Sequence, residues 1–178
     1  MTLAFITGNQ GKLTELQAII PDVTGLDVDL PEIQEIDAHK IIAAKLEEAR
    51  KHHDGALIAE DTSLYLNAMN GLPGPLIKWF LKTIGLDGLY RLSQSFGDTS
   101  AYAQTIIGFI DESGKVSFFD GRIDGMIVAP RGGSGFGWDT IFQPAGHTKT
   151  FGEMTSEEKN ELSMRRLAAE KLKAHLNT

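Results

Sequence analysis

Two adjacent acids, Glu60 and Asp61, follow a short apolar run at residues 56–59. A run of this length flanked by glycine predicts a buried strand that ends at residue 59. Open α/β sheets bind ligands just beyond the carboxyl ends of such strands, so the acids stand where a metal-bound anion would lie. Because neighbouring strand residues point to opposite faces, we expect Asp61 to face the ligand and Glu60 to point back toward the sheet. The alternative is a solvated turn.

Two cations fall where predicted helices should face a core. Lys45 lies within one apolar arc and Arg165 within another, and an inward charge is costly unless an anion meets it. Neither cation has an evident protein partner, so we expect both to meet an anionic ligand and Lys45→Met and Arg165→Met to leave folding intact. The alternative is that each side chain reaches past the core to water. The two apolar sets are Ala38, Ile41, Ile42 and Ala49, and Leu162, Ala169, Leu172 and Leu176.

A tight turn at residues 7–12 connects a predicted strand to a predicted helix. Such a turn exposes backbone N–H groups at the positive end of the helix dipole, which suits a phosphate. Gly8 and Gly11 allow close approach of the backbone, and Lys12 adds a charge. The spacing is not that of a P-loop, since Leu13 follows Lys12 where Ser or Thr would be needed. A plain helix start is the alternative.

A nucleotide also needs a pocket for its base. Residues 136–139, Phe-Gly-Trp-Asp, follow a glycine-rich loop at 132–135. Their aromatic faces can stack on a base, and the carboxylate of Asp139 can accept a hydrogen bond from a purine ring N–H. Core packing is the alternative for this tetrapeptide.

Composition limits the class of protein. A chain of 178 residues is long enough for one domain with a sizeable core, and no cysteine is present for disulfides or thiolate chemistry. The net charge of −7 argues against a nucleic-acid partner. No apolar run approaches membrane-spanning length and the N-terminus lacks a signal-like charged region, so we expect no membrane partner and a cytoplasmic location.

The periodicity predicts alternating strands and helices. We expect strands at residues 3–6, 23–28, 56–59 and 64–69, and a long hairpin from 100–111 and 115–128. Helices are expected from residue 13 to the stop at Pro21, and then at about 37–53, 77–84, 86–95 and 156–176.

Together these segments resemble the Ham1 family, also called the inosine triphosphate pyrophosphatase family. The matching blocks occur in family order over nearly the whole chain. They are Thr7-Gly8-Asn9 with Lys12 and Glu15, Leu30-Pro31-Glu32, Glu60-Asp61-Thr62-Ser63-Leu64, Gly71-Leu72-Pro73-Gly74-Pro75 with Lys78-Trp79-Phe80, Ala129-Pro130-Arg131-Gly132, Phe136-Gly137-Trp138-Asp139, and Glu153-Met154 with Lys159-Asn160 and Ser163-Met164-Arg165.

The resemblance implies a single domain over residues 1–178, with a mixed α/β fold whose long central twisted sheet is flanked by helices. It implies two lobes with the active site in the cleft between them, and a homodimer. The implied activity is Mg²⁺-dependent hydrolysis of ITP, dITP and XTP, small-molecule purine nucleoside triphosphates, to the monophosphate and pyrophosphate.

The resemblance also implies roles for single residues. Asp61, Glu32 and Lys12 form the catalytic set, with Glu32 and Asp61 serving the metal, Asp61 as general base and Glu60 as support. Phe136 would stack on the base. The implied substrate-binding residues are Thr7, Asn9, Lys12, Lys45, Thr62, Lys78, Phe136, Gly137, Trp138, Asp139, Lys159, Ser163, Met164 and Arg165.

Two departures from the family pattern stand out. Met164 replaces the His of the family's Ser-His-Arg motif, which exchanges a hydrogen-bond donor for an apolar thioether, so we predict weaker or different base discrimination. Thr140 stands where Pro is usual, a change we expect to be tolerated.

Several other functions stay open. One is a related hydrolase of broader selectivity, including one that acts on modified pyrimidine nucleotides. Another is a nucleotide-binding regulator without turnover. A third is an RNA-binding module that uses the C-terminal cations Arg165, Arg166, Lys171 and Lys173.

Overall fold

The computed structural model describes residues 3–133 and 136–177, which fold as two compact units. Unit 1 contains residues 3–61, 105–121 and 164–177, and unit 2 contains 62–104, 122–133 and 136–163. The strands are β1 (Leu3–Ile6), β2 (Val23–Leu26), β3 (Ala56–Leu66), β4 (Pro73–Gly74), β5 (Ser100–Ile110), β6 (Val116–Ile127) and β7 (Phe142–Pro144). The helices are α1 (Gln10–Gln17), α2 (Ala38–Ala49), α3 (Ile77–Thr83), α4 (Gly85–Ser95), α5 (Ser156–Leu162) and α6 (Met164–Leu176).

The strands form one mixed seven-stranded sheet in the order β2-β1-β3-β5-β6-β7, with β4 paired to β3. Strand β1 runs parallel to β2 and to β3, whereas β4 is antiparallel to β3 and β7 is antiparallel to β6. The predicted mixed α/β class, a central sheet flanked by helices, is confirmed. A cleft between two lobes and a single domain over 1–178 stay predictions.

In unit 1 the sheet buries both faces, because successive residues of β1 and β3 alternate between two cores. One core packs Phe5 and Ile58 against Leu16 of α1 and Leu172 of α6. The other packs Leu57 and Ala59 with Ile6 against Ile42 and Leu46 of α2. The apolar arc predicted for α2 therefore faces a core.

In unit 2 the short strands and 3₁₀ turns pack around large aromatic side chains. Trp138 lies edge-on to Phe142, with ring centroids 5.6 Å apart, and Phe151 packs 5.3 Å from Phe142. All three rings are buried. Tyr65 of β3 stacks on Tyr102 of β5 with centroids 4.6 Å apart, and the guanidinium of Arg122 lies 3.7 Å from the centre of the Tyr102 ring.

The predicted end of the third strand at residue 59 is wrong. Strand β3 continues to Leu66, so Glu60 and Asp61 lie within it and the separate strand predicted at 64–69 is its second half. The acids do not break the strand, because the charge of Glu60 is compensated by side chains from two helices. The parallel pairing with β1 extends only to Ile58, so the acids do follow the part of β3 that is parallel to β1.

The continuous helix predicted at 156–176 is also wrong. Ser163 adopts an extended conformation, with φ −73° and ψ 150°, and separates α5 from α6. Leu162 therefore does not share a helical stripe with Ala169, and the buried face of α6 is formed by Met164, Ala168, Ala169 and Leu172.

Two smaller differences concern loops and helix ends. Helix α1 ends at Gln17 rather than at Pro21. In the predicted 132–135 loop, Ser134 and Gly135 lie outside the described residues. Across the part of the chain that is described, none of the helices has the length and apolar character needed to cross a bilayer.

Candidate active site

The turn before α1 keeps side-chain donors for a phosphate, although its own side chains already bind two of the backbone N–H groups that the sequence offered. Asn9 caps the helix by accepting a hydrogen bond from the backbone N–H of Lys12 at 3.1 Å, and Thr7 Oγ1 accepts from Asn9 N at 3.0 Å. The Thr7 hydroxyl hydrogen and the Asn9 Nδ2 group donate to no protein group among the described residues, so they are available to a ligand. A pocket of about 270 Å³ opens here, lined by Thr7, Gly8, Asn9, Gln10, Leu13, Gly25 and Asp27.

Glu60 is buried and pairs with two cations from different helices. Its side chain is 2% exposed and lies on the α1 and α6 face of the sheet. Arg165 of α6 donates from Nε and Nη2 to the two carboxylate oxygens at 2.9 Å each, and Lys12 Nζ of α1 lies 3.1 Å from Oε1. Arg165 also donates from Nη1 to Glu15. These four side chains, Lys12, Glu15, Glu60 and Arg165, form a cluster that we call the charge quartet.

Burial and charge act in opposite directions on Glu60. Burial alone would raise the pKa of its carboxyl group, but the charges of Arg165 and Lys12 outweigh burial and lower that pKa from 4.5 to about 2. Burial would likewise lower the pKa of Arg165, whereas Glu60 and Glu15 raise it. Glu60 and Arg165 are therefore both ionised at neutral pH.

Asp61 belongs to the opposite face of the sheet. It follows Ala59 by two residues, and Ala59 packs in the core beneath α2. The same helix carries Lys45, whose Nζ lies 2.7 Å from Glu32 Oε1. Strand alternation thus groups Asp61 with Lys45 and Glu32, and separates it from Glu60.

The expectation that Lys45 and Arg165 have no protein partner is wrong. Lys45 pairs with Glu32, and Arg165 pairs with Glu60 and Glu15. A half-buried cation needs a counter-charge even without substrate, and acids distant in sequence supply it. Arg165→Met would leave a buried carboxylate with one cation fewer, so we now expect this variant to be less stable than the wild type.

In the residues that the structure describes, no three acids or histidines are grouped to hold a metal. Glu32 and Asp61 supply hard carboxylate oxygens, the ligand type that suits Mg²⁺, which typically takes one or two carboxylates together with substrate phosphates. The donor set therefore fits Mg²⁺ bound jointly with a triphosphate.

In unit 2 the carboxylate of Asp139 organises the predicted base pocket. The side chain is 4% exposed, and its Oδ2 accepts from Phe136 N at 2.6 Å and from Lys159 Nζ at 2.5 Å. Its Oδ1 bonds to no protein group within 3–133 and 136–177, so this oxygen can accept from a ligand. The turn exposes the Phe136 ring, which is 61% accessible, and Gly137 adopts φ +57°, a left-handed conformation that favours glycine.

Trp138 is buried beneath the turn that carries Phe136 and Asp139. It is 4% exposed and packs against Phe142 and Phe151, so core packing describes this residue. Its role is to anchor the turn that presents Phe136 and Asp139.

Two consecutive capping boxes order the segment that carries Lys159. Thr150 and Glu153 cap the 3₁₀ turn Phe151–Glu153, and Thr155 and Glu158 cap α5. The Thr150 hydroxyl also donates to the carbonyl of Arg131 at 3.0 Å, which ties this segment to the loop before Phe136. Lys159 follows at the end of α5 and reaches Asp139.

The other predicted residues lie in several settings. Lys78 is exposed on α3, with Nζ 5.9 Å from the centre of the Trp79 ring. Thr62 follows Asp61 on β3 and is partly buried. Ser163 and Met164 are each 4% exposed, at the break between α5 and α6. The site residues thus form one group in unit 1 and one in unit 2, and their meeting around one nucleotide stays a prediction.

Comparison with known proteins identifies the family. The sequence model described as the Ham1 family matches residues 3–175. The chain belongs to the Ham1 family. The chain is 44% identical over 181 residues to an inosine triphosphate pyrophosphatase of Schizosaccharomyces pombe. That alignment covers 99% of this chain and 96% of the relative. It is 42% identical over 178 residues to inosine triphosphate pyrophosphatase 1 of Trypanosoma cruzi, and this alignment covers 97% of this chain and 91% of the relative.

Solved structures show the same fold. A HAM1 protein from Coxiella burnetii superposes with a TM-score of 0.86 at 26% identity, covering 99% of each chain. The Ham1 protein of Staphylococcus aureus gives 0.82 at 27% identity and 98% coverage. The predicted family and fold class are thereby confirmed.

Two acids of this Ham1 family chain received no role from the sequence. Glu15 lies one turn after Lys12 on α1 and contacts Arg165, and this i, i+3 spacing was the available signal. Asp27 follows β2 and lies against Gly8, where an added Cβ would be 2.8 Å from Asp27 Oδ1. Because β1 and β2 are parallel, their carboxyl ends meet, which is the signal for Asp27.

Thr140, the second departure from the Ham1 pattern, has a buried hydroxyl that makes no hydrogen bond in the described part of the chain. A buried unpaired hydroxyl costs about 1–3 kcal/mol, so we expect Thr140→Val to raise the free energy of unfolding by about 1 kcal/mol. Thr150→Val is the matched control, since the Thr150 hydroxyl is buried but bonded to Arg131 O, and it should lower stability by a similar amount. Urea unfolding of the three proteins measures both changes, and equal losses in both variants would contradict the interpretation.

The depressed pKa of Glu60 predicts an acid-dependent loss of stability. The unfolded chain protonates this carboxylate near pH 4.5, whereas the folded protein keeps it ionised down to about pH 2. The stabilising contribution is complete above pH 4.5 and disappears as pH falls toward 2. The free energies of unfolding of the wild type and of Glu60→Gln should therefore converge across this window in urea titrations. A difference that stays constant from pH 6 to pH 2 would be the opposite result.

Proposed function

We propose that this chain is a nucleoside triphosphate pyrophosphohydrolase that converts ITP, dITP and XTP to the monophosphate and pyrophosphate. The main support is the whole-length similarity to relatives named inosine triphosphate pyrophosphatases. The geometry agrees, because the chain combines phosphate donors at the start of α1, an acid on the sheet face that carries the Lys45–Glu32 ion pair, and an exposed ring beside an anchored aspartate.

In the proposed reaction one water is consumed and the bond between the α- and β-phosphates breaks. Asp61 takes a proton from the water, which then bonds to phosphorus, and pyrophosphate leaves. Glu32 and Asp61 would hold Mg²⁺, which lowers the pKa of bound water and offsets phosphate charge. Lys45, which pairs with Glu32, would stabilise the negative charge that develops on the phosphates during the reaction.

The same proposal assigns one set of residues to the triphosphate and another to the base and sugar. Thr7, Asn9, Lys12, Lys45, Thr62 and Lys78 would hold the triphosphate. Phe136 and Gly137 would cover the base while Asp139 Oδ1 accepts its ring N–H, with Trp138 beneath them. Lys159, Ser163, Met164 and Arg165 would close around base and sugar.

The structure gives little support to RNA binding by the C-terminal cations. Arg165 is paired with acids, Arg166 Nε lies 2.8 Å from Glu170 Oε1, and Lys171 Nζ donates to Asp120 O at 2.5 Å. Arg165 and Arg166 are thus compensated by acids of the chain, and Lys171 is held by a backbone carbonyl. A homodimer and a cytoplasmic location remain part of the proposal; the homodimer rests on the resemblance, and the location rests on the expectation drawn from the sequence.

Asp61→Asn tests the proposed chemistry. The change is nearly isosteric but removes the proton acceptor, so pyrophosphate release from ITP should fall by at least about 100-fold while nucleotide binding and thermal stability persist. Asp54→Asn, at an exposed position before β3, is the control and should keep wild-type turnover. A wild type that binds ITP but releases no pyrophosphate would instead indicate a regulator.

Met164→His tests base selectivity. With methionine we expect the wild type to discriminate poorly, and restoring a donor worth about 1–2 kcal/mol should raise the ratio of kcat/KM for ITP over dGTP by about tenfold. A panel of ITP, XTP, dGTP, ATP and modified pyrimidine triphosphates measures this ratio. A wild type that already acts only on ITP and XTP would reject the role given to Met164.

A further inference from the structure

Glu60 contacts two cations that the proposed function assigns to different parts of the nucleotide. Lys12 belongs to the first turn of α1, beside Thr7 and Asn9, whereas Arg165 begins α6 next to Met164. Both contact the same carboxylate, one at 3.1 Å and the other through two hydrogen bonds of 2.9 Å.

We propose that Glu60 is a positioning residue that holds the Lys12 ammonium and the Arg165 guanidinium in place for the nucleotide, and that it exchanges no proton in the reaction. This inference rests on the proposed function and adds to it a role for the neighbour of the general base.

The contacts of Glu60 exclude it from chemistry with water. Its Oε1 accepts from Arg165 and faces Lys12, its Oε2 accepts from Arg165, and its side chain is 2% exposed. A general base needs to be within reach of the water whose proton it takes. Asp61 belongs to the other face of β3, away from Lys12 and Arg165.

The two cations keep donors for a ligand. Arg165 uses Nε–H and one Nη2–H on Glu60 and one Nη1–H on Glu15, which leaves two of its five N–H groups. The Lys12 ammonium has three N–H donors, and its described ion pair is with Glu60. Glu60 therefore orients both groups without using up their hydrogen bonds.

Positioning matters most for Lys12. A lysine side chain has large rotamer freedom, and the Lys12 side chain is 23% exposed. Without Glu60 this freedom would be lost only when the phosphate binds, which would weaken binding. With Glu60 in place, the ammonium is already held beside the start of α1.

A double-mutant cycle tests the coupling. We would measure the Kd of ITP by calorimetry in EDTA, to prevent turnover, for the wild type, Glu60→Gln, Lys12→Met and the double variant. Each single change should weaken ITP binding by about tenfold, and the double variant should be no more than about threefold weaker than Lys12→Met, because Glu60 acts partly through Lys12. Glu170→Gln, at an exposed ion pair on α6, is the control and should bind ITP as the wild type does.

Kinetics separate positioning from proton transfer. With Mg²⁺, Glu60→Gln should raise KM while the pH dependence of kcat keeps its wild-type acidic limb, since Asp61 is unchanged. If Glu60→Gln does not fold, Glu60→Asp replaces it in the cycle. This variant keeps the negative charge but is one methylene shorter, so it should fold and still weaken ITP binding.

The results that would contradict the positioning role of Glu60 differ from those that would contradict the proposed function. Fully additive changes in the cycle, or loss of turnover with unchanged ITP affinity, would overturn the positioning role while the wild type still hydrolyses ITP. A Glu60→Asp variant that binds ITP as tightly as the wild type would do the same. A wild type that neither binds ITP nor releases pyrophosphate would remove the proposed function itself.

Discussion

A buried carboxylate held by two cations is the interaction on which unit 1 depends. Glu60 lies within a strand whose neighbours are packed in cores, where an isolated charge would be very costly. The contacts of Lys12 and Arg165 lower the pKa of Glu60 to about 2 and keep it ionised. Because these cations come from α1 and α6, the same contacts join both helices to β3. Removing one partner of a buried ion pair lowers stability more than replacing the whole pair by apolar side chains does.

Strand alternation divides the two acids between two faces. Glu60 joins the helices α1 and α6, and Asp61 belongs to the face of α2 with Lys45 and Glu32. Two neighbouring carboxylates can thus take opposite roles, one compensated and inaccessible, the other available for a metal or a proton. The sequence predicted this division from strand geometry alone, although it placed the acids after the strand.

Local patterns predicted most elements of this chain, since helix and strand periods are short-range signals. The hairpin of β5 and β6, the turn and helix that follow β1, and the apolar arc of α2 all follow from residues close in sequence. The break at Ser163 was missed because α5 and α6 both have helical periodicity and only the backbone at one residue departs from it.

Partners distant in sequence could not be predicted from local patterns. Arg165 and Glu60 are 105 residues apart, and Arg165 and Glu15 are 150 apart, so each looked unpaired. The inward positions of Lys45 and Arg165 were recognised correctly as places that need an anion. Their protein partners depend on how the helices pack against the sheet, which periodicity does not specify.

Because the charges of the charge quartet cancel, the quartet attracts an anion only at short range. Two positive and two negative groups in contact produce little potential beyond the Debye length of about 8 Å at physiological ionic strength. The chain as a whole has a net charge of −7, which repels a polyanion at long range. A triphosphate would therefore reach these residues by ordinary diffusion rather than by electrostatic steering. Capture would then lack electrostatic acceleration, and discrimination would take place at contact.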